Sequence, residues 1–291
     1  MIPSVLSSQV RRGIEDFLRT TFPVYTRHFD GVIERLLAAA SEQIFKGPYV
    51  SVKLPFTPGT SGPNYFPDVP MPYRPYLHQE RAFARLHGTP ARSTLIATGT
   101  GSGKTECFQY PLLNYCWQKR GEPGIKAIVI YPMNALATDQ ARRFARIIHD
   151  NPRLHGTLRV GLYVGDREGH AGNMVMAAEQ VITNRDTMRL HPPDILLTNY
   201  KMLDYLMIRP IDTPLWQGNG AETLKYIVVD ELHTFDGAQG TDLACLLRRL
   251  KRAAEDANRA SLLCRNLSDA GRSGKRRAVA RIRQPGFWRI V

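Results

Sequence analysis

The feature that most restricts this chain is the octet Thr98-Gly99-Thr100-Gly101-Ser102-Gly103-Lys104-Thr105. A short apolar run, 93–97, stands before it, and a helix-like segment, 106–117, follows. Glycines and small hydroxyl residues let the backbone turn until several N–H groups face one point. A helix starting there adds the positive end of its dipole. Strand, turn and helix in that order make a cradle for nucleotide phosphates. Thr100, Gly101, Ser102 and Gly103 would line the cradle, and Lys104 would reach the β- and γ-phosphates. The Thr105 hydroxyl would sit on Mg2+. The usual first glycine of this pattern falls at position 98, where this sequence has threonine, so the strict spacing is missed by one residue. A Gly-Ser loop ending in Lys-Thr by chance would not bring both flanks with it.

Around this turn, short apolar runs alternate with helical periods. Strands are expected at 93–97, 127–131, 159–163, 195–198 and 226–229, and helices at 106–117, 135–149, 201–207 and 241–252. Such alternation specifies an α/β fold, a mostly parallel sheet with helices on both faces. Ligands of such sheets bind at the carboxyl ends of the strands. Upstream, Leu6, Val10, Ile14 and Phe17 recur at helical spacing, as do Val32, Ile33, Leu36 and Leu37. Residues 1–54 therefore read as a small helical module, with 49–54 alternating like a short strand. Seven prolines between 55 and 75 exclude a helix or central strand and read as an extended linker. A main domain is expected over 76–255.

The net charge of +13 would suggest a polyanionic partner, but its distribution weakens that inference. From 265 to 291 there are eight basic residues and one acid, so more than half of the excess lies in a short tail. The four cysteines (Cys107, Cys116, Cys245 and Cys264) form no CxxC pair and read as buried thiols in a reducing compartment. No window approaches the roughly 18 apolar residues that span a bilayer, and the first residues lack a signal-peptide pattern. The expectation is a cytoplasmic protein with no membrane partner.

The second chemical signal is Tyr226-Ile227-Val228-Val229-Asp230-Glu231-Leu232-His233. Four apolar strand residues end in two adjacent acids. Asp230 at the strand tip can hold Mg2+ opposite Thr105, and Glu231 can orient or deprotonate a water. A buried strand often ends in an ordinary acidic turn, but this one follows a phosphate cradle in the same chain.

Taken together, Thr100 to Thr105 and Asp230 to His233 resemble motifs I and II of superfamily 2 helicases, the DEAD/DEAH-box (DExH) class. Tyr76-Leu77-His78-Gln79 resembles the upstream glutamine motif, which implies adenine recognition by Gln79. The segments 131–140 and 193–200 resemble motifs Ia and Ib, which implies nucleic-acid backbone contacts from Pro132, Asn134, Thr198 and Asn199. Gly165 and Asp166 would lie in a nearby loop. In that resemblance His233 couples the nucleotide site to the strand-moving surface. The resemblance implies ATP and Mg2+ as cofactors, an N-terminal RecA-like ATP-binding domain, and nucleic acid as partner, with DNA favoured over RNA. The continuation 234–243 resembles very large bacterial helicases of phage-defence loci such as Druantia, which implies defence-system partner proteins. The function so implied is ATP hydrolysis coupled to translocation or unwinding. A catalytically incomplete, nucleotide-dependent nucleic-acid-binding remnant is the alternative.

Helicases of this class need a second RecA-like domain, and nothing after 255 resembles one. The stretches 266–271 and 284–289 are compatible, in a shifted reading frame, with the Ser-Ala-Thr motif and the segment the family places next. Residues 256–291 are thus expected to be a basic, disordered or frameshifted tail, a hypothesis the adjacent reading frame of the gene tests.

Overall fold

The computed structural model describes residues 3–38, 55–88, 91–99, 101–165, 172–220 and 223–255. The expectations for 49–54, for Asp166, for Cys264 and for the tail lie outside them. The chain divides into two compact units at Pro55/Phe56. In the first, α1 (Pro3–Thr21) and α2 (Val32–Ala38) carry the apolar positions expected at helical spacing.

The second unit is built on four parallel strands in the order β2-β3-β1-β4. Here β1 is Ala127–Tyr131, β2 Val160–Tyr163, β3 Ile195–Asn199 and β4 Tyr226–Val229. The strands are buried along nearly their whole length and mostly apolar, with polar residues only at the carboxyl end of β3, as a parallel sheet between helices demands. Alternate residues go opposite ways. Ala127, Val129 and Tyr131 face one core cluster, whereas Ile128 and Ile130 face the other. The first cluster is completed by α3 (Leu77–His87), α4 (Lys104–Gln118) and α5 (Asn134–Asp150). The second is completed by α7 (Tyr200–Ile208) and α8 (Gly237–Glu255). A short helix, α6 (Arg185–Leu190), between β2 and β3 has too few turns for its period to show in the sequence.

One expected strand is corrected. Residues 93–97 make no ladder with any described strand, and β4 pairs only with β1. Leu95 within it is 72% exposed. The segment is held instead by side chains: Arg85 donates to the Thr94 hydroxyl at 3.2 Å and to the Ser93 carbonyl at 3.2 Å.

The proline-rich stretch has no regular structure but is firmly packed. Phe66, Val69 and Met71 are buried in the first core cluster, with the Phe66 ring 5.2 Å from that of Phe83 on α3. Glu80 anchors it, accepting from the backbone N–H of Thr60 at 3.0 Å and of Ser61 at 2.6 Å. Burial opposes the Glu80 charge, yet the bonds from Ser61 and Thr60 prevail and hold its pKa below the ordinary carboxylate value. Of the described cysteines, Cys107 and Cys116 are buried as expected, but Cys245 is exposed on α8. Among the described residues no helix is long and apolar enough to cross a membrane.

Candidate functional site at the carboxyl ends of the strands

The glycine-rich turn feeds directly into α4, which begins at Lys104. Gly101 and Gly103 both adopt left-handed φ values, +76° and +73°, which a residue with a Cβ would reach only with strain. At Gly103 space is also short, since a Cβ would stand 2.4 Å from Gln79 Nε2 and 2.9 Å from Glu106 Oε2. Gly101, Ser102, Gly103, Lys104 and Thr105 thus form one continuous turn at the helix N-terminus. Thr100 lies outside the described residues. Ser102 is buried, its hydroxyl 2.6 Å from that of Thr98. The threonine at position 98, the one departure from the glycine pattern, therefore braces the loop from within.

Two side chains of α3 close the turn from the other side. Gln79 donates to the Gly103 carbonyl at 3.1 Å and accepts from the Tyr76 N–H at 2.9 Å. Both functions of its amide are engaged with backbone. His78 Nε2 lies 2.8 Å from the Ser102 carbonyl. The rings of Tyr76 and His78 stack with centroids 5.7 Å apart, and Phe56 leans on both. This aromatic group beside the loop was not read from the sequence, because Phe56 lies among prolines and carries no motif.

Across the sheet end, Asp230 follows β4 and its N–H donates to the Ile130 carbonyl at 3.0 Å. Burial pushes its pKa above the ordinary carboxylate value, and the neighbouring Glu231 adds to that. The Glu231 N–H and the charges of Lys104 and Arg143 act against it. The ammonium on the phosphate turn and the carboxylate on the strand tip thus lie within electrostatic reach of one another. Glu231 adopts φ +49°, the sole non-glycine residue with positive φ among the described residues. His233, 76% exposed, places Nδ1 3.3 Å from Glu231 Oε2. Beneath Asp230 the buried Tyr131 hydroxyl has no hydrogen-bond partner.

The residues expected to touch nucleic acid divide into two kinds. Pro132 is half-buried and Asn134 exposed, directly after β1. Asn199 follows at the end of β3, its Nδ2 donating to Asn134 Oδ1 at 2.7 Å. Gly165 is exposed beside Asn134. Thr198 is different and is corrected: it is fully buried, and its hydroxyl donates to the Tyr163 carbonyl at 2.7 Å. It fixes the spacing of β2 and β3 and offers nothing to solvent.

Fold and site together define a P-loop domain of the α/β class. Residues 76–264 match the DEAD/DEAH box helicase family, and the chain belongs to that family. It is 26% identical to Druantia protein DruE of Escherichia coli (strain UMEA 4076-1) over 84% of this chain and 19% of that protein. It is 33% identical to the uncharacterized ATP-dependent helicase YprA of Bacillus subtilis (strain 168), over 61% of this chain and 20% of that protein. The chain therefore spans about a fifth of the length of these curated relatives. Among solved structures, the DUF1998 helicase MrfA bound to DNA and AMPPNP is 27% identical over 75% of this chain and 24% of that one, with a TM-score of 0.49.

Proposed function

We propose that this chain is the N-terminal, ATP-binding RecA-like part of an ATP-dependent nucleic-acid helicase. The observation that supports the reading is that Asp230 ends a strand beside β1 while the Lys104 charge, on the phosphate turn 126 residues earlier, favours its ionised form. Lys104 and the N–H groups of the turn hold the triphosphate. Thr105 and Asp230 hold Mg2+, which supplies charge neutralisation at the phosphates. Asp230 suits that role because burial opposes its charge, and a cation would offset that opposition. Glu231 orients water and His233 relays its state. Gln79 recognises adenine by giving up one of its two backbone bonds, with Phe56, Tyr76 and His78 offering ring faces to a planar base.

On the neighbouring strand ends, Pro132, Asn134 and Asn199 form the nucleic-acid edge, and we propose DNA as the strand bound. We also propose defence-system partner proteins and a cytoplasmic setting, as the resemblance of 234–243 implies. Binding of a fluorescent ATP analogue with Mg2+, and ATP turnover with and without single-stranded DNA or RNA, test the reading. Wild type should bind and Lys104→Ala should not; equal signals from both defeat the assignment. Binding without any turnover would instead favour the nucleotide-gated remnant.

A further inference from the structure

Glu106 directly follows the threonine of the phosphate turn, and its carboxylate touches both that turn and α5. On one side Oε2 lies against Gly103, where a Cβ would stand 2.9 Å away. On the other side Oε1 accepts from Arg143 Nη2 at 2.6 Å. The pair is unequally covered, with Glu106 14% and Arg143 40% exposed. A bridge with one partner this open contributes little to stability. Arg143 belongs to α5, whose first residue is Asn134, bonded in turn to Asn199. One helix therefore carries the strand-end asparagine at its start and, further along, the arginine that grips the first turn of α4. The Arg143 charge also acts on Asp230 and on the unpartnered Tyr131 hydroxyl.

We propose that Arg143 is a positioning residue whose bridge to Glu106 couples occupancy of the phosphate turn to the Asn134–Asn199 edge. The electrostatics give the direction. Arg143 is drawn toward two carboxylates, Glu106 and Asp230. With the phosphate turn filled, the Asp230 carboxylate would be engaged there and Glu106 would remain as the carboxylate holding Arg143, so the bridge already closed at 2.6 Å would tie α5 to α4 more firmly. A helix responds as a unit, so Asn134 at its start, bonded to Asn199 of β3, is held with it. The inference rests on the functional reading above, since it needs a nucleotide in the turn.

The test uses the whole chain and two fluorescence titrations: a labelled single-stranded oligonucleotide with and without AMPPNP and Mg2+, and a labelled AMPPNP alone. Wild type should show an oligonucleotide affinity that changes about fivefold or more on adding AMPPNP. Glu106→Gln and Arg143→Gln should each bring that ratio to within about twofold, and the double variant should add nothing further. Arg143→Lys keeps the charge, loses the planar fork, and should retain part of the ratio. If Glu106→Gln fails to fold, Arg143→Lys decides by the same ratio. An unchanged ratio in the variants, or no ratio in a wild type that binds both ligands, overturns the proposal. A wild type that binds no AMPPNP overturns the functional reading itself, and this inference falls with it.

Discussion

Asn199 Nδ2 donates to Asn134 Oδ1 at 2.7 Å, joining the end of β3 to the start of α5, the helix that follows the adjacent parallel strand β1. The same Asn199 side chain caps α7, its Oδ1 accepting from the Met202 N–H at 2.8 Å. One amide thus serves strand, helix and edge together. Asn199→Ala should lower stability by about 1 kcal/mol through the lost cap and also weaken oligonucleotide binding. Asn134→Ala should weaken binding with less loss of stability, because its side chain caps nothing. Thermal melts alongside titrations separate the two. Equal melting points for both variants would contradict the dual role of Asn199.

Asp194 does its work at the opposite end of the sheet. Its carboxylate accepts from Lys126 Nζ at 2.7 Å and from the Arg159 N–H at 2.8 Å, tying the starts of β1 and β2 to that of β3. Lys126 is only 1% exposed, and its ammonium also donates to the Glu122 carbonyl at 2.6 Å. Removing one partner of such a pair leaves a buried charge, at a cost of about 3–5 kcal/mol. Asp194→Leu should therefore melt well below wild type, while Lys126→Met with Asp194→Leu recovers much of the loss. A single variant as stable as the double would show the pair to be unimportant.

The sheet and the phosphate turn were legible because each is written locally. Apolar runs such as 127–131 and 226–229 specify strands without reference to the rest of the chain, and the turn carries its glycines at alternate places, 99, 101 and 103. The missing strand at 93–97 shows the converse. A strand exists only when neighbours supply a ladder, and no residue within the run reports whether they do. Thr198 misled for a related reason: its place in the motif marks a strand end, but not which way its hydroxyl turns. The bridge of Glu106 to Arg143 spans 37 residues and has no sequence signature.

Asp230 should reveal the tension between stability and ligand binding. The fold raises its pKa above the unfolded value of 3.8, chiefly by burial. Ionisation is thus opposed in the folded state, and the charge costs stability increasingly as pH rises from the unfolded value through the folded one. Without ligand, Asp230→Asn should melt above wild type at pH 7, by a few degrees for each kcal/mol relieved. The two should converge below about pH 3.8. With Mg2+ and ATP the order reverses, because the variant loses the cation. A wild type that melts higher at pH 7 without ligand would refute the sign.

Glu231 is held at φ +49° and ψ 44°, a conformation that a side chain with a Cβ adopts at a cost of roughly 1–2 kcal/mol. Its neighbours enforce it. The Glu231 N–H donates to Asp230 Oδ1 at 2.9 Å, and its carbonyl accepts from the Thr234 hydroxyl at 2.8 Å. Strain of this kind persists where the surroundings over-determine it, often at a catalytic position. Glu231→Ala keeps the strain and removes the carboxylate, whereas Glu231→Gly removes both. Both variants should lose turnover, by about a hundredfold or more. Only glycine should relieve the backbone, so Glu231→Gly should melt above Glu231→Ala despite its more flexible unfolded chain. Should alanine prove equally stable or better, the left-handed turn would carry no strain, and the carboxylate would owe its direction to its own contacts rather than to the backbone.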